Sequence, residues 1–370
     1  MPESPSLLMT IGAFLLVLGP LVLMHELGHY LVGRWFGVKA DVFSIGFGRE
    51  VAGWTDRRGT RWKLGLLPLG GYVQFAGDAN GASVPDPALA DAPPEALKGT
   101  FQGAALWQRS LIVLAGPLTN LLAAVAVFAV FNMSYGVPTS AAVVDGFAPN
   151  SAAQAAGMLK GDRIVAIDGE KVAAFEDVVS QVVLYPGKRI VIEVERAGRQ
   201  LTVPVTIPAV VSTDRFGNRI ERGQIGISSR LSFTPVGPVT AVAKGFDQSV
   251  GVVRFMVAGL QQIVVGERSV RELGGPIKIA KYSGESLAMG WPAFVSFAAL
   301  ISINLAFINL LPIPGLDGGH LALYAAEAIR RRPLDARSQE WAFRTGLALV
   351  LGLMLFVTLN DIASLPIFGR

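Results

Sequence analysis

Leu23-Met24-His25-Glu26-Leu27-Gly28-His29-Tyr30 closes a long apolar run near the start of the chain. It contains H-E-x-x-H. At helical pitch His25 and His29 stand one turn apart on one face, so both imidazoles can reach a single metal ion. Glu26 follows the first of them and can point at a water activated by that ion, where a general base is needed. The chain holds three histidines, and two fall in this stretch. From Leu7 to Met24 no residue is charged. At ~1.5 Å per residue that run carries His25 roughly 27 Å along a helix, close to the far side of a ~30 Å hydrocarbon core. Ionisable groups at that depth are costly and mark function.

Composition agrees with a membrane setting. Of 370 residues 51% are hydrophobic and 16% charged, and the mean hydropathy is positive. A polytopic membrane protein is the reading that fits. The net charge of +4 is small, and the basic residues gather at the ends of apolar runs, which suits membrane topology and not nucleic-acid binding. With no cysteine, disulfides, thiolate catalysis and cysteine zinc sites are excluded. The first apolar run lacks a basic n-region and a small-residue cleavage site, so it is expected to stay on the chain.

Outward from the motif, a first span is expected at about residues 6–33 and a second at about 109–133. Between them lies a basic segment (Arg34, Lys39, Arg49, Arg57, Arg58, Arg61, Lys63) that the positive-inside rule places in the cytoplasm. Asp41 to Gly48 alternates like a strand, and Trp62 to Phe75 reads as two short strands about a Pro/Gly turn. Such strands beside an intramembrane site can offer unpaired backbone groups to an extended peptide, or can form an ordinary packed hairpin. Asp78 to Gly99 reads as loop. The second span opens with Ala115-Gly116-Pro117-Leu118-Thr119-Asn120, in which small residues permit close helix packing and Asn120 is read as structural.

Residues 138–230 change character, with charges and short strands set off by Gly and Asp turns: a soluble α+β module. Strands are expected at Ala141 to Asp145, Arg189 to Arg196 and Gln200 to Ile207, with a turn, a strand and another turn over Gly161 to Gly169, and helices at Ser151 to Met158 and Phe175 to Leu184. Residues 231–290 read as amphipathic helices on the membrane surface. A third span is expected at about 291–311, a loop at 312–320, and a fourth span at about 342–366. Four spans place both termini and the soluble module outside and both basic loops inside.

Two histidines leave a catalytic zinc short of a third protein ligand, which is usually His or a carboxylate. Asp317 and His320 are both candidates, next to a span end on the side of the membrane that His25 approaches. A turn Asp capping the following helix is the bland alternative.

His25-Glu26-Leu27-Gly28-His29 together with Asn309-Leu310-Leu311-Pro312-Ile313-Pro314-Gly315-Leu316-Asp317-Gly318 resembles the paired motifs of the site-2 protease family. The order of parts is similar to its bacterial, RseP-type branch, and the resemblance covers nearly the whole chain. It implies one Zn2+ per chain held by His25, His29 and Asp317, with Glu26 as general base. It implies that Asn309 contacts substrate, that Pro312 and Pro314 shape the loop presenting Asp317, and that His320 is supporting. Gly70, Gly71, Tyr72 and Val73 resemble a membrane re-entrant β-loop at about 61–76 that binds substrate. Residues 138–230 resemble a circularly permuted PDZ domain, with Val143, Val144, Ile225, Gly226 and Ile227 at its groove. Gly274-Gly275-Pro276-Ile277 matches a loop found downstream of that domain. One departure is the single PDZ domain where the enterobacterial protein carries two.

The fold class expected is thus a polytopic α-helical membrane protein with four transmembrane helices, a re-entrant β-loop and an inserted α+β PDZ domain. The function implied is intramembrane zinc metalloproteolysis of pre-trimmed single-span membrane proteins of the anti-sigma factor type, or of remnant signal peptides. The setting implied is the bacterial inner membrane, with the active site toward the cytoplasm and the PDZ domain outside. The expected partners are those substrates, the lipid bilayer and a peptide ligand of the PDZ groove. A non-catalytic PDZ adaptor with a structural metal is the alternative, although a structural site has no use for Glu26. A divalent-metal transporter would need polar ligands through the spans, and these offer one localised cluster.

Overall fold

Nothing between Ser6 and Phe36 interrupts helix formation except Pro20. In the computed structural model, which describes residues 5–81, 86, 93, 95–139, 141–213, 219–230, 232–266, 270, 274–332 and 336–363, α1 runs from Leu7 to Trp35. Ser6 caps it by accepting the Met9 N–H at 3.3 Å. Its buried side carries Ala13, Val17, Leu21, His25, His29 and Gly33, every fourth residue. Small or apolar side chains at that spacing form a packing ridge, and the two histidines sit on it.

The described residues fall into two compact units, one drawn from 1–128, 248–253 and 274–361, the other from 129–247, 254–273 and 362–370. In the first, α1 is followed by β1 (Ala40–Thr55) and β2 (Arg61–Phe75). These are not a simple hairpin. Residues 42–45 of β1 pair with 61–64 on one side and 71–74 on the other, while 50–55 pair back onto 61–65. The stretch 71–75 is therefore the last strand of a doubled sheet and lies against α1. Under the sheet, Tyr30, Phe43, Phe75 and Phe101 form a buried aromatic cluster, with Trp62 stacked on Phe43 at 4.3 Å. The helices α2 (Leu106–Tyr135), α6 (Pro276–Ala288), α7 (Trp291–Leu310), α8 (Asp317–Arg330) and α9 (Ala336–Ala363) contribute to the same unit. Ala13, Val17 and Leu21 of α1 pack with Phe294 of α7. Buried Asp361 of α9 accepts the N–H groups of Gly275 at 3.2 Å and Lys278 at 3.1 Å, so it caps α6 inside the Gly274–Ile277 motif. Half of the loop expected from Asp78 to Gly99 lies outside the described residues.

The second unit holds the α+β module. Its elements are β3 (Val137–Thr139), β4 (Gly146–Phe147), α3 (Ala152–Ala155), β5 (Arg163–Ile167), β6 (Glu170–Lys171), α4 (Phe175–Val183), β7 (Arg189–Arg196), β8 (Arg199–Thr206), β9 (Ala209–Thr213), β10 (Arg219–Gly223), β11 (Ile227–Ser228) and β12 (Ser232–Thr234). The antiparallel order β6-β5-β7-β8 buries Ile164, Ile167, Ile190, Ile192 and Val194 against α3 and α4. Ala141 to Asp145, expected as a strand, makes only an isolated bridge between Val143 and Arg163. Its backbone follows residues 161–164 irregularly, through Val144 N to Asp162 O and Ile164 N to Ala142 O, too little for a ladder. Helix α5 (Pro238–Val265) follows the module.

Among the described residues, five helices are long and apolar enough to cross a membrane, at Leu7–Trp35, Leu106–Tyr135, Pro238–Val265, Trp291–Leu310 and Trp341–Ile362. The candidate beyond the four expected spans is α5, read above as an amphipathic surface helix.

Asp162 makes the module's stability sensitive to acid. Its carboxylate is 1% exposed and takes two bonds from Arg196, Nε at 2.6 Å and Nη2 at 2.7 Å, plus the Leu159 N–H at 2.8 Å. The Arg196 bonds hold it below the usual carboxylate range. A depressed pKa gives stability that is complete above the unfolded value of ~3.9 and is lost as pH falls through the folded value. Hydrogen exchange of the β5 and β7 amides, corrected for intrinsic rates, should quicken from about pH 4 downward. In Asp162→Asn that acid dependence should be blunted.

Candidate metal centre

The ridge of α1 brings His25 and His29 to within 3.2 Å of each other, Nε2 to Nε2. Asp317 Oδ2 lies 3.1 Å from His25 Nε2 and 3.6 Å from His29 Nε2. Donors held ~2.0–2.2 Å from one tetrahedral ion stand ~3.3–3.6 Å apart, so the 3.6 Å edge lies in that range and the 3.1 and 3.2 Å edges lie just below it. Asp317 Oδ2 is buried and no hydrogen bond reaches it, as suits an oxygen awaiting a cation. Asp317 is the first residue of α8, and the cap position belongs to Leu316. Its side chain therefore faces the histidines instead of capping. His320 lies one turn along α8 beside Tyr324, with ring centroids 6.3 Å apart, and is not among the three grouped ligands.

Helix α2 forms the back wall, through residues four apart on one face. The Ile112 carbonyl lies 2.8 Å from His29 Nδ1. A carbonyl can only accept, so Nδ1 carries the proton and Nε2 offers its lone pair to the site. At Gly116, an added Cβ would collide with His29 Nε2 and come within 2.9 Å of His25 Cε1. At Gly28, between the two histidines, a Cβ would lie 2.5 Å from the Ala115 carbonyl. These two glycines let α1 and α2 touch where the imidazoles need room. Gly116→Ala should accordingly lower zinc affinity by about 100-fold, the scale of a displaced ligand orientation, with helical content unchanged. Chelator competition against circular dichroism separates the two effects.

Glu26 is buried next to the ligands and accepts a hydrogen bond from the Val73 backbone. The strand that supplies it passes close by: a Cβ on Gly71 would lie 3.0 Å from Glu26 Cγ and 3.1 Å from Val22 Cγ1. Gly70 precedes it with φ +112°. Tyr72 stacks on Phe47 at 6.1 Å under Lys63. Asn309, in the last turn of α7, puts Nδ2 3.4 Å from His25 Nε2. Pro314 packs on α9 at Gly346, whose added Cβ would meet Pro314 Cβ at 2.6 Å, while Pro312 is exposed. Gly71 and Val73 of β2 thus reach Glu26 and Asn309 reaches His25, while Gly70 and Tyr72 face Phe47.

The module's groove residues scatter. Ile227 lines a groove of about 500 Å³ with Phe175, Val179 and Val183 of α4 and Phe255 of α5. Val144 and Ile225 are instead buried in the module's core. Gly226 turns with φ +77° against Ser151, and Val143 is half-buried at its bridge. Sequence reasoning also missed Ile112, Gly116 and Asn120. Their spacing of four residues from Ile112 to Gly116 to Asn120 was the available signal.

Residues 13–353 match the pattern of peptidase family M50. A protein of Agrobacterium fabrum named "Putative zinc metalloprotease" is 47% identical over 358 residues, covering 95% of each chain. Metalloprotease MmpA of Caulobacter vibrioides is 35% identical, over 98% of this chain and 97% of its own. Among solved structures, the PDZ domain of an SdrC-like protein from Listeria monocytogenes aligns with 26% of this chain and 90% of its own, at 18% identity and a TM-score of 0.19. The long apolar helices and the family pattern together describe a multi-pass membrane protein. With the pattern running through most of the sequence and relatives aligned almost end to end, the chain belongs to peptidase family M50, the site-2 proteases.

Proposed function

We propose that this protein is an intramembrane zinc metalloprotease that hydrolyses pre-trimmed single-span membrane proteins or remnant signal peptides. The observation that carries the reading is Glu26, buried between a three-donor metal group and an edge strand that can hold an extended peptide. When bound, zinc supplies a Lewis acid for the scissile carbonyl and lowers the pKa of the attacking water toward ~7. His25, His29 and Asp317 would hold that ion. Glu26, fixed by the Val73 N–H, takes the proton of the water and passes it to the leaving nitrogen. A helical substrate hides its carbonyls in internal hydrogen bonds and must unwind. Strand addition along Gly71 to Val73, with the Asn309 amide beside it, replaces those bonds, which hydrocarbon cannot do.

The four-span arrangement with a re-entrant β-loop fits the same reading. Leu64, Leu66 and Leu67 of β2 are exposed, as suits a strand dipping into lipid. Helix α5 then lies along the membrane surface, and the module at 138–230 is an extracytoplasmic PDZ domain that admits or excludes substrates by binding peptide in the groove at Ile227. The basic segments at Arg34 to Lys63 and Arg330 to Arg332 stay in the cytoplasm of a bacterium's inner membrane, next to the active site.

The test is a reconstituted assay. Purified protein in lipid vesicles is given a single-span substrate trimmed on its outer side, and product termini are mapped by mass spectrometry. Cleavage within the hydrophobic segment that stops on zinc chelation is expected. No product from several trimmed spans, with zinc bound, would favour the non-catalytic PDZ adaptor with a structural metal.

A further inference from the structure

Asn120 of α2 has no place in the mechanism above, yet its side chain is fully buried at the rear of the metal group. It follows Gly116 by one turn. Its amide nitrogen lies 3.3 Å from His25 Nδ1, and its Oδ1 is buried with no hydrogen-bond partner. The two ends of an amide have the same shape, and their assignment follows from the partners they find. With Nδ2 toward the ring, Oδ1 is orphaned and Nδ1 must accept. The proton then sits on Nε2, which could not ligate. With the amide turned by half a rotation, Oδ1 accepts Nδ1–H, the orphan is relieved and Nε2 is left with its lone pair.

A shared cation selects the second state. His29 Nε2 lies 3.2 Å and Asp317 Oδ2 3.1 Å from His25 Nε2. These two acceptors would draw a proton onto Nε2 without an ion, and the three atoms can share an ion only if Nε2 offers its lone pair. The Asn309 amide nitrogen stands 3.4 Å from the same atom and can donate to it. Meanwhile Ser302 Oγ donates to the Asn120 backbone carbonyl at 2.7 Å, tethering α2 to α7 at this point.

We propose that Asn120 is a positioning residue that accepts the Nδ1 proton of His25, fixing the tautomer and ring orientation in which Nε2 binds zinc. Ile112 and Asn120, two turns apart on one face of α2, then set the two histidines in the same way, one through a main-chain oxygen and one through a side-chain oxygen. The inference rests on the zinc site of the proposed function.

The test is zinc competition against a chelating dye, using the full-length protein in detergent micelles as wild type, Asn120→Leu, Asn120→Asp and Ser302→Ala. Leu keeps the volume and removes the acceptor, so affinity should fall ~10–100-fold. Asp keeps an acceptor and cannot donate, so its affinity should stay within about threefold of wild type or exceed it. Ser302→Ala loosens the tether and leaves the acceptor, and should bind zinc as wild type does. Wild-type affinity in Asn120→Leu overturns the proposal. So does an Asn120→Asp as weak as Asn120→Leu while both unfold at the wild-type temperature. If Asn120→Leu does not fold, Asn120→Asp decides alone, because a donating amide would be abolished by it and an accepting one preserved. A blank titration of the wild-type chain is a separate result, and it would overturn the zinc reading together with this one.

Discussion

Glu26→Gln is expected to lower cleavage of a trimmed single-span substrate by ~10²–10⁴-fold, the range of general-base catalysis. The substitution keeps the shape of the side chain and its acceptor for the Val73 N–H, so the β2 edge should stay in place. His25, His29 and Asp317 are untouched, and zinc content should remain at one per chain. The pairing of full zinc occupancy with lost turnover is the signature of a base. Single-turnover cleavage beside elemental analysis measures both. Equal rates in wild type and Glu26→Gln would remove Glu26 from the chemistry.

Asp317→Ala should act earlier, on the metal itself. Two imidazoles with Nε2 atoms 3.2 Å apart would then face an ion with no carboxylate to balance its charge. Zinc affinity should fall by more than the ~10–100-fold that outer-shell changes cause, and cleavage should vanish with it. The start of α8 should persist, because its cap is Leu316 and the loop before it is held by backbone bonds, Leu316 N to Ile313 O at 3.0 Å among them. A zinc titration together with hydrogen exchange across residues 311–325 tests this. Retained zinc with His320 newly protected would reassign the third ligand.

Different parts of this molecule were legible to different degrees. H-E-x-x-H could be read because ligand spacing is a local property of one helix. The strands now β5, β7 and β8 could be read because alternating valine and isoleucine carry their own period. Asp317 could not be separated from His320 by spacing alone. What joins it to His25 is a fold across the chain, and only the resemblance of the paired motifs pointed there. The α2 wall was hidden for another reason. A main-chain carbonyl at Ile112 and a missing side chain at Gly116 leave no chemical mark in a sequence, and Asn120 looks like any polar residue that glues helices. The doubled pairing of β1 and β2 was hidden because residues 42–45 have two neighbours, and a sequence read one strand at a time suggests one. Helix α5 sits near the boundary between surface and spanning hydropathy, so composition does not separate the two.

The metal group draws its donors from both ends of the chain, His25 and His29 from the first helix and Asp317 from the eighth. During synthesis, at ~5–20 residues per second, the interval between them is on the order of half a minute. Throughout that time the nascent chain has Glu26, two imidazoles and the β2 edge, but not the third donor of the metal group. The ribosome therefore completes the donor set late, with only the rest of α8 and α9 still to be made, and a chain that stalls before Asp317 lacks the carboxylate of the metal group.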